Sequence, residues 1–113
     1  MNISIKGTNL DLTPAVKQYV DEKIGAMAKY IKGESVECKV ELERDRKHQT
    51  GLVFRAEVMV HAGGKLMRAE ARGEDMYSAI DLVVPKIKEQ ISKFKNKQTT
   101  MQRRGARAAK RKI

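Results

Sequence analysis

Five lysines lie within twelve residues near the C-terminal end of the chain: Lys86, Lys88, Lys93, Lys95 and Lys97. At about 100° per residue, Lys86, Lys93 and Lys97 fall on one flank of an apolar helical stripe, and Lys88 and Lys95 fall on the opposite flank. Ammonium groups in such an array are suited to binding phosphates through charge. The alternative is that their aliphatic stems only cover the edge of a hydrophobic core.

The net charge of +10 is confined to the last quarter of the chain. Residues 1–84 carry 13 Lys or Arg and 13 Asp or Glu, whereas residues 85–113 carry 11 Lys or Arg and one acid, Glu89. Arg103 and Arg104 extend the lysine array beyond residue 97. A neutral body with a cationic end favours a polyanionic partner, chiefly nucleic acid or an anionic membrane surface. A solubilising tail is the alternative, but solubility does not require such clustering.

The predicted first helix carries a less regular set of lysines: Lys17, Lys23, Lys29 and Lys32. Tyr19, Lys23 and Tyr30 lie along one flank of this helix. Basic groups interleaved with aromatic rings can contact phosphates and stack on unpaired bases. Lysines that merely cover the core edge explain the first helix equally well, so the second helix and the tail carry the stronger signal.

The elements that must position these residues follow the order β-α-β-β-β-α. Strands are predicted over residues 2–6, 35–44, 51–60 and 65–72, and helices over residues 14–32 and 73–97. Each helix has one apolar stripe to bury, so both are expected on one face of a small, antiparallel-rich sheet, in an α+β fold. A chain of 113 residues supports one domain, predicted over residues 1–97. The basic segment 98–113 has no apolar stripe and is expected to be disordered when free.

Alternation of apolar and polar residues predicts which side chains face the core. The apolar faces of the last three strands are Val36, Cys38, Val40 and Leu42; Leu52, Phe54, Ala56, Val58 and Val60; and Met67, Ala69 and Ala71. Arg55 and Glu57 are predicted to point outward, and Gly63 and Gly64 to form a hairpin turn. The stripe of the second helix is Met76, Ile80, Val83, Val84, Ile87, Ile91 and Phe94, with Pro85 facing solvent.

Helix ends have their own signals. Thr13 and Pro14 form a typical start for the first helix, and Gly33 a typical stop. Gly73, Glu74 and Asp75 open the second helix, with acids near the positive end of its dipole.

No group of residues is typical of an active site, a metal site or a cofactor site. His48 lies in a polar connector and His61 near a strand end, and periodicity places no carboxylate beside either. Cys38 is the only cysteine, so an internal disulfide and a multi-thiolate zinc site are excluded. Its place on the core face is typical of a small buried hydrophobe. We therefore expect a binding protein with no cofactor, not an enzyme.

The kind of nucleic acid is indicated by what the sequence lacks. It has no helix-turn-helix spacing, zinc finger or leucine zipper, so base-specific reading of DNA has no support. A small sheet-and-helix module with flanking lysines is suited to the backbone and shape of folded RNA. Engagement of about six phosphates predicts a log–log salt slope near −4 to −5.

Residues 73–97, GEDMYSAIDLVVPKIKEQISKFKNK, resemble the signature of the ribosome hibernation promoting factors and ribosome-associated inhibitor A, a family also labelled sigma-54 modulation proteins. The matching positions are Asp75, Met76, Tyr77, Ala79, Ile80 and Asp81, then Lys86, Gln90, Lys93 and Lys97. The opening MNISIKGTNLDLTPAVKQYV also resembles the start of the family, and the likeness covers about residues 1–97.

The resemblance implies a fold like that of a double-stranded-RNA-binding domain. It also implies that the protein binds the small ribosomal subunit and its RNA, occupies the channel of messenger and transfer RNA, and silences translation in stationary phase or stress. By this analogy, the contacts to ribosomal RNA come from Lys86, Lys93 and Lys97 in the second helix and from Lys23 and Lys29 in the first.

Two features depart from the family pattern. Glu89 stands where relatives often place Arg beside the Gln, and Lys88 is the neighbour that could compensate. The chain resembles the short forms of the family, but its tail is basic instead of acidic. The resemblance therefore does not indicate whether the protein promotes or blocks the pairing of ribosomes.

The sequence leaves two alternatives to ribosome binding: a reader of structured RNA outside the ribosome, and a regulator that binds a protein such as a sigma factor. No stretch approaches the roughly 20 apolar residues of a membrane-spanning helix, and the N-terminus does not resemble a secretion signal. We expect a cytoplasmic protein of bacterial type, without a membrane partner and monomeric when free.

Overall fold

A computed structural model of the chain describes residues 2–28, 31, 36–45 and 51–111, with side chains described as far as Phe94, Ala28 excepted. Its elements are β1 (Asn2–Thr8), α1 (Pro14–Ala28), β2 (Glu37–Arg44), β3 (Phe54–Ala62), β4 (Lys65–Gly73) and α2 (Met76–Arg111). The predicted α+β class and the order β-α-β-β-β-α are therefore confirmed.

The four strands form one mixed sheet in the order β1-β2-β3-β4. β1 and β2 are parallel, as the helical crossover between them requires, and the other two pairings are antiparallel. β3 and β4 are joined by the predicted two-residue hairpin, in which Ala62 pairs with Lys65. Gly63 and Gly64 have φ values of 57° and 74°, the left-handed conformations that such a turn needs at both positions.

Both helices pack on the same face of the sheet, as predicted. The fully buried side chains at the centre of this layer are Val20 and Ile24 of α1, Val40 and Leu42 of β2, Val58 of β3, and Ile80, Val83 and Ile87 of α2. Ile5, Val40, Val58 and Ala69 occupy paired positions across the four strands, so one row of the helix-covered face is apolar throughout. The sheet fixes both helices against a single core, and their outer sides carry the charged residues.

The predicted core face of the third strand is wrong at one position. Leu52 is 57% exposed, whereas its neighbour Val53 is 5% exposed. The strand begins only at Phe54, because Gly51 turns the chain at a φ of 88° and the carbonyl of Val53 accepts a hydrogen bond from the Asp45 amide at 2.7 Å. Strict alternation therefore does not extend back to Leu52.

The first helix begins as predicted and ends earlier. The Val16 amide donates to Thr13 Oγ1 at 3.2 Å, which confirms the capping role of Thr13. The helix ends at Ala28, and Ile31 is already non-helical. The predicted end at Lys32 is wrong because the chain leaves the helix to reach the sheet, and Ile31 packs against the core outside the helix. Gly33, the predicted stop, lies outside the described residues.

The second helix begins at Met76 and continues through Pro85, whose side chain is exposed as predicted. Its backbone is helical to Arg111, so the predicted helix end at Lys97 is wrong. The segment after Lys97 is rich in Ala, Arg, Gln and Lys and has no proline, a composition that allows a helix even without an apolar stripe. The sequence predicts that residues 98–113 are disordered in the free protein. This expectation differs from the helical backbone and stays a prediction. Within the described residues, no helix is both long and apolar enough to cross a membrane.

Glu57 lies on the sheet face opposite the helices, as predicted, but it is only 4% exposed. Arg55 and Arg68 both donate to Glu57 Oε2, and the Arg68 contact measures 2.7 Å. Arg55 also donates to Glu70 at 2.7 Å and to Glu43 at 3.4 Å. Glu57 therefore points outward as predicted, but ion pairs with arginines of its own and a neighbouring strand bury its carboxylate.

Candidate nucleic-acid interface

One flank of α2 borders the edge strand β4. On this flank the ammonium of Lys86 donates a hydrogen bond to the backbone carbonyl of Glu70 at 3.1 Å. The contact ties the helix to the sheet edge and leaves the Lys86 side chain exposed. Lys86 is thus held at a fixed position, where its charge faces solvent beside β4.

Lys93 lies two helical turns further along the same flank. Its ammonium is 3.2 Å from Glu89 Oε1, and the two side chains are 71% and 67% exposed. Exposed pairs of this kind contribute about 0.3–0.5 kcal/mol and are screened by salt. Lys93 is therefore readily available to a stronger anionic partner.

The other flank of α2 carries Lys88, which is exposed. The structure thus places Lys86, Lys88 and Lys93 on the outer sides of a helix whose stripe is buried, as the periodicity predicted. The remaining predicted RNA-binding side chains lie outside the described residues: Lys29, Lys95, Lys97, Arg103 and Arg104. All except Lys29 follow Glu89 in the chain, where no further acid occurs.

Tyr19 of α1 meets Tyr77 and Asp81 of α2 where the two helices pack together, at the seam between α1 and α2. Tyr19 donates a hydrogen bond to Oδ1 of Asp81, and its ring packs edge-on against Tyr77 with 4.9 Å between centroids. Lys23 lies over the Tyr19 ring, with its ammonium 5.6 Å from the centroid. The predicted neighbourhood of Tyr19 and Lys23 is therefore present, whereas Tyr30 lies outside the described residues.

The electrostatics of this seam are acidic. The hydrogen bond to Asp81 raises the pKa of Tyr19 to about 12, and the charges of Asp81, Asp75 and Glu22 act in the same direction. Three carboxylates near one ring disfavour a phosphate. The helical surface is thus polarised, with acids around the start of α2 and cations from Lys86 onward. Lys23 lies at the acidic end.

The residues of the Asp-Met-Tyr block build the start of α2. Asp75 caps the helix by accepting from the Ser78 amide at 2.7 Å, and Met76, Ala79 and Ile80 are buried in the core. Gly73 precedes the block, and a Cβ there would lie 2.6 Å from the Ala79 backbone nitrogen, so only glycine fits. The block therefore fixes where α2 begins and how it docks, whereas the lysines that follow it lie on the exposed sides of the helix.

The sheet face opposite the helices, the open face, carries many charged side chains, but they neutralise one another in ion pairs. Its arginines are held in ion pairs: Arg55 with Glu43, Glu57 and Glu70, Arg68 with Glu57, and Arg72 with Asp45 at 3.7 Å. The hydrogen bond from Arg55 lowers the pKa of Glu70, so this network keeps its carboxylate ionised. The cationic side of the molecule is therefore the helical one.

The residues considered for catalysis do not converge. Cys38 is 1% exposed, and burial raises the pKa of its thiol to about 11, which keeps it unreactive at neutral pH. His61 is exposed on the open face, and His48 lies outside the described residues. In the part of the chain that the structure describes, no cluster of His, Cys, Asp or Glu could hold a metal ion.

Lys65 is a basic residue near α2 that the sequence-based set omitted. It is the first residue of β4, and its ammonium lies 5.8 Å from the ring centroid of Phe94. The signal for it was the alternation of β4, which places residue 65 on the same face as Met67, Ala69 and Ala71.

The chain is similar to known proteins over most of its length. Residues 3–99 match the family described as Sigma 54 modulation protein / S30EA ribosomal protein. The ribosome hibernation promoting factor of Azotobacter vinelandii is 35% identical over 103 residues, which cover 90% of each chain. The ribosome hibernation promotion factor of Bacillus subtilis (strain 168) is 37% identical over 97 residues, 86% of this chain and 50% of that protein. The chain thus spans about half the length of several curated relatives.

Solved structures agree with the sequence matches. The N-terminal domain of Thermus thermophilus Protein Y superposes with a TM-score of 0.70 at 33% identity, covering 83% of this chain and 99% of that one. A ribosomal subunit interface protein from Coxiella burnetii has the same fold, with a TM-score of 0.70 at 23% identity. The resemblance read from the Asp-Met-Tyr block is confirmed: the chain belongs to the Sigma 54 modulation protein / S30EA ribosomal protein family.

Proposed function

We propose that this chain is a ribosome hibernation factor that binds the small ribosomal subunit, occupies its messenger and transfer RNA channel, and silences translation in stationary phase or stress. Family membership supports the proposal, as do the names of relatives that match over 86–90% of this chain. Binding to the ribosome places the protein in the cytoplasm, and a single folded domain can act there as a monomer.

The observation that carries the proposal is the polarity of α2. Its buried stripe fixes the helix against the sheet, while Lys86, Lys88 and Lys93 remain exposed on its outer sides. Beyond Glu89 the chain has no acid, so the positive potential rises toward the C-terminal end of the helix. Folded RNA presents dense phosphates to such a surface, and recognition of shape and backbone needs no base-specific contact.

In this proposal, α2 and the residues that follow its apolar stripe make most of the contacts with ribosomal RNA. This set comprises Lys86, Lys88, Lys93, Lys95, Lys97, Arg103 and Arg104. Lys23 and Lys29 of the α1 region make smaller contributions, because Lys23 lies at the acidic end of the helical surface. The neutral open face of the sheet then points away from the RNA.

Inhibition follows from occlusion and requires no reaction. A folded domain inside the decoding channel excludes messenger and transfer RNA by its volume. The mechanism needs neither a nucleophile nor a cofactor. Its strength depends only on affinity, and so on ionic strength.

The test is binding of the full chain to purified small subunits at several salt concentrations, by co-sedimentation. We expect saturable binding with a log–log salt slope near −4 to −5, and small subunits should outcompete bulk duplex RNA by a wide margin. Equal competition by duplex RNA would instead support a general reader of structured RNA. Pull-down of a protein partner that survives nuclease would support a protein-binding regulator, a possibility that the family description raises.

Occlusion is tested separately in a reconstituted translation reaction. Excess protein should stop synthesis, and prior loading of messenger and initiator transfer RNA should slow the onset of inhibition because they fill the same space. Full-speed synthesis in the presence of bound protein would contradict the channel position without contradicting ribosome binding.

A further inference from the structure

The hairpin between β3 and β4 brings one lysine to the cationic side of the molecule. Lys65 is paired with Ala62 across the turn and belongs to the register of β4 that faces the helices. Met67 and Ala69, the next residues of this register, are buried under α2. Lys65 lies beyond the end of that core and is exposed.

Phe94 holds Lys65 near α2. The Lys65 ammonium lies 5.8 Å from the Phe94 ring centroid, within the range of a cation–π contact. Phe94 is partly buried against the core and directly follows Lys93 in the chain. An ammonium from the sheet is thus fixed beside the helical turn where the acid-free, basic part of α2 begins.

Lys65 differs from the other basic residues of β3 and β4. Arg55, Arg68 and Arg72 lie on the opposite sheet face, and carboxylates neutralise all three. None of the ion pairs found among the described residues involves Lys65. Its charge is therefore available to an external anion.

The turn itself leaves room for a large partner. Gly63 and Gly64 have no side chains, and a Cβ built on Gly64 meets nothing within 4 Å. Nothing at this position blocks the approach of a nucleic-acid backbone to the neighbouring Lys65.

We propose that Lys65 is a further phosphate-binding residue, and that the β3–β4 hairpin and the Lys93–Phe94 turn of α2 together form one RNA-contact surface. This inference rests on the proposed function, since the phosphate is that of ribosomal RNA. It adds a contact from the sheet to an interface otherwise made of helices. Contacts from β4 and α2 to the same RNA restrict the orientation of the domain more than contacts from α2 alone.

The test compares Lys65→Gln with a matched control, Lys39→Gln, in the full chain. Lys39 is exposed on the open face of β2, so both variants lose one charge but only one loses it on the proposed surface. Binding to purified small subunits is measured across a salt series. We expect Lys65→Gln to make the log–log slope less steep by about one and to weaken binding about fivefold at 0.15 M salt. The control should leave both values unchanged, and Lys65→Arg should retain binding.

The outcomes separate this inference from the proposal on which it rests. Wild-type binding with a steep slope, together with an unaltered Lys65→Gln variant, overturns the role of Lys65 and leaves the proposed function standing. Equal loss in Lys65→Gln and Lys39→Gln also overturns it, because net charge alone then explains the effect. A wild-type chain that ignores small subunits overturns both. Thermal unfolding of each variant confirms that the comparison is between folded proteins.

Discussion

The ammonium of Lys93 lies 3.2 Å from the carboxylate of Glu89, one turn earlier on the exposed side of α2. Glu89 is the last acid in the sequence, and it stands next to Gln90. One acid therefore partly neutralises one of the lysines assigned to RNA binding. Both side chains are largely exposed, so the pair is weak and has little role in stability.

Replacement of Glu89 by Gln should strengthen binding to small subunits. The change removes a charge that repels phosphate and leaves Lys93 without its internal partner. We expect affinity to rise about threefold to fivefold at 0.15 M salt, the size of about one phosphate contact. Glu41→Gln on β2 is the control, because it makes the same charge change on the other side of the sheet. Equal gains in the two variants would mean that net charge, not the position of Glu89, limits affinity.

The contact between Tyr19 and Asp81 predicts a titration at high pH. The hydrogen bond to Asp81 raises the pKa of Tyr19 from 10.0 to about 12 in the folded protein. Because the folded pKa is the higher one, the stabilisation is complete below pH 10 and is lost as the pH rises from 10 to about 12. Wild-type protein should show a phase of phenolate absorbance near pH 12 that Tyr19→Phe lacks.

The same contact can be followed through stability. Lysine titration affects both proteins alike, so it cancels in the difference between the unfolding free energies of wild type and Tyr19→Phe. This difference should therefore shrink across the pH window in which the stabilisation by the Tyr19 contact is lost. Asp81→Asn, which removes the charge, should bring the Tyr19 titration back toward its ordinary range. A Tyr19 that titrates normally in the wild type would show that the seam between α1 and α2 is not closed in solution.

The buried carboxylate of Glu57 predicts a stability effect without a binding effect. Glu57→Ala leaves Arg55, whose side chain is only 16% exposed, without its most buried partner, although Glu70 and Glu43 remain. We expect a loss of about 1–2 kcal/mol in urea unfolding. Glu41→Ala is the control: Glu41 pairs with Glu57 across the strands, so its removal relieves a like-charge contact and should cost little.

Binding gives the second readout for this pair. Affinity of folded Glu57→Ala for small subunits should equal that of the wild type, because the open sheet face is assigned no RNA contact. Weakened binding by the folded variant would place part of the interface on that face and would contradict the assignment to the helical side.

Much of the fold could be predicted because the apolar pattern is regular. The stripe of α2 has the helical period from Met76 to Phe94, and its members are buried or partly buried. The alternation of β2 and β4 likewise identified their core faces. In each case local periodicity and tertiary burial agree, so the sequence alone was sufficient.

The errors arose where tertiary structure overrides a local pattern. Leu52 fits the alternation of β3 but directly follows the turn at Gly51, before the strand begins, and nothing in the alternation marks that turn. The burial of Glu57 depends on two arginines, one from its own strand and one, Arg68, from the neighbouring strand, and alternation does not show that both side chains converge on one carboxylate. The α2 backbone continues past Lys97 because residues of high helix propensity follow the end of the stripe.

The candidate site was only partly accessible from the sequence for the same reason. The lysines of α2 follow from a helical wheel, since their spacing is local. The acidic character of the seam around Tyr19 requires α1 and α2 to be packed together, and Lys65 joins the surface only through the hairpin and Phe94. Contacts between distant segments therefore supplied what periodicity could not.

The central claim is that the lysines of α2 supply most of the affinity for the small subunit. The most direct measurement is the salt dependence of small-subunit binding by the variant Lys86→Gln, Lys93→Gln, Lys97→Gln, compared with the matched variant Lys6→Gln, Lys17→Gln, Lys39→Gln. The first should bind on the order of 100-fold more weakly at 0.15 M salt, with a slope less steep by two to three, while the second binds nearly as the wild type. Unchanged binding by the α2 variant, or equal losses in the two, would contradict the account.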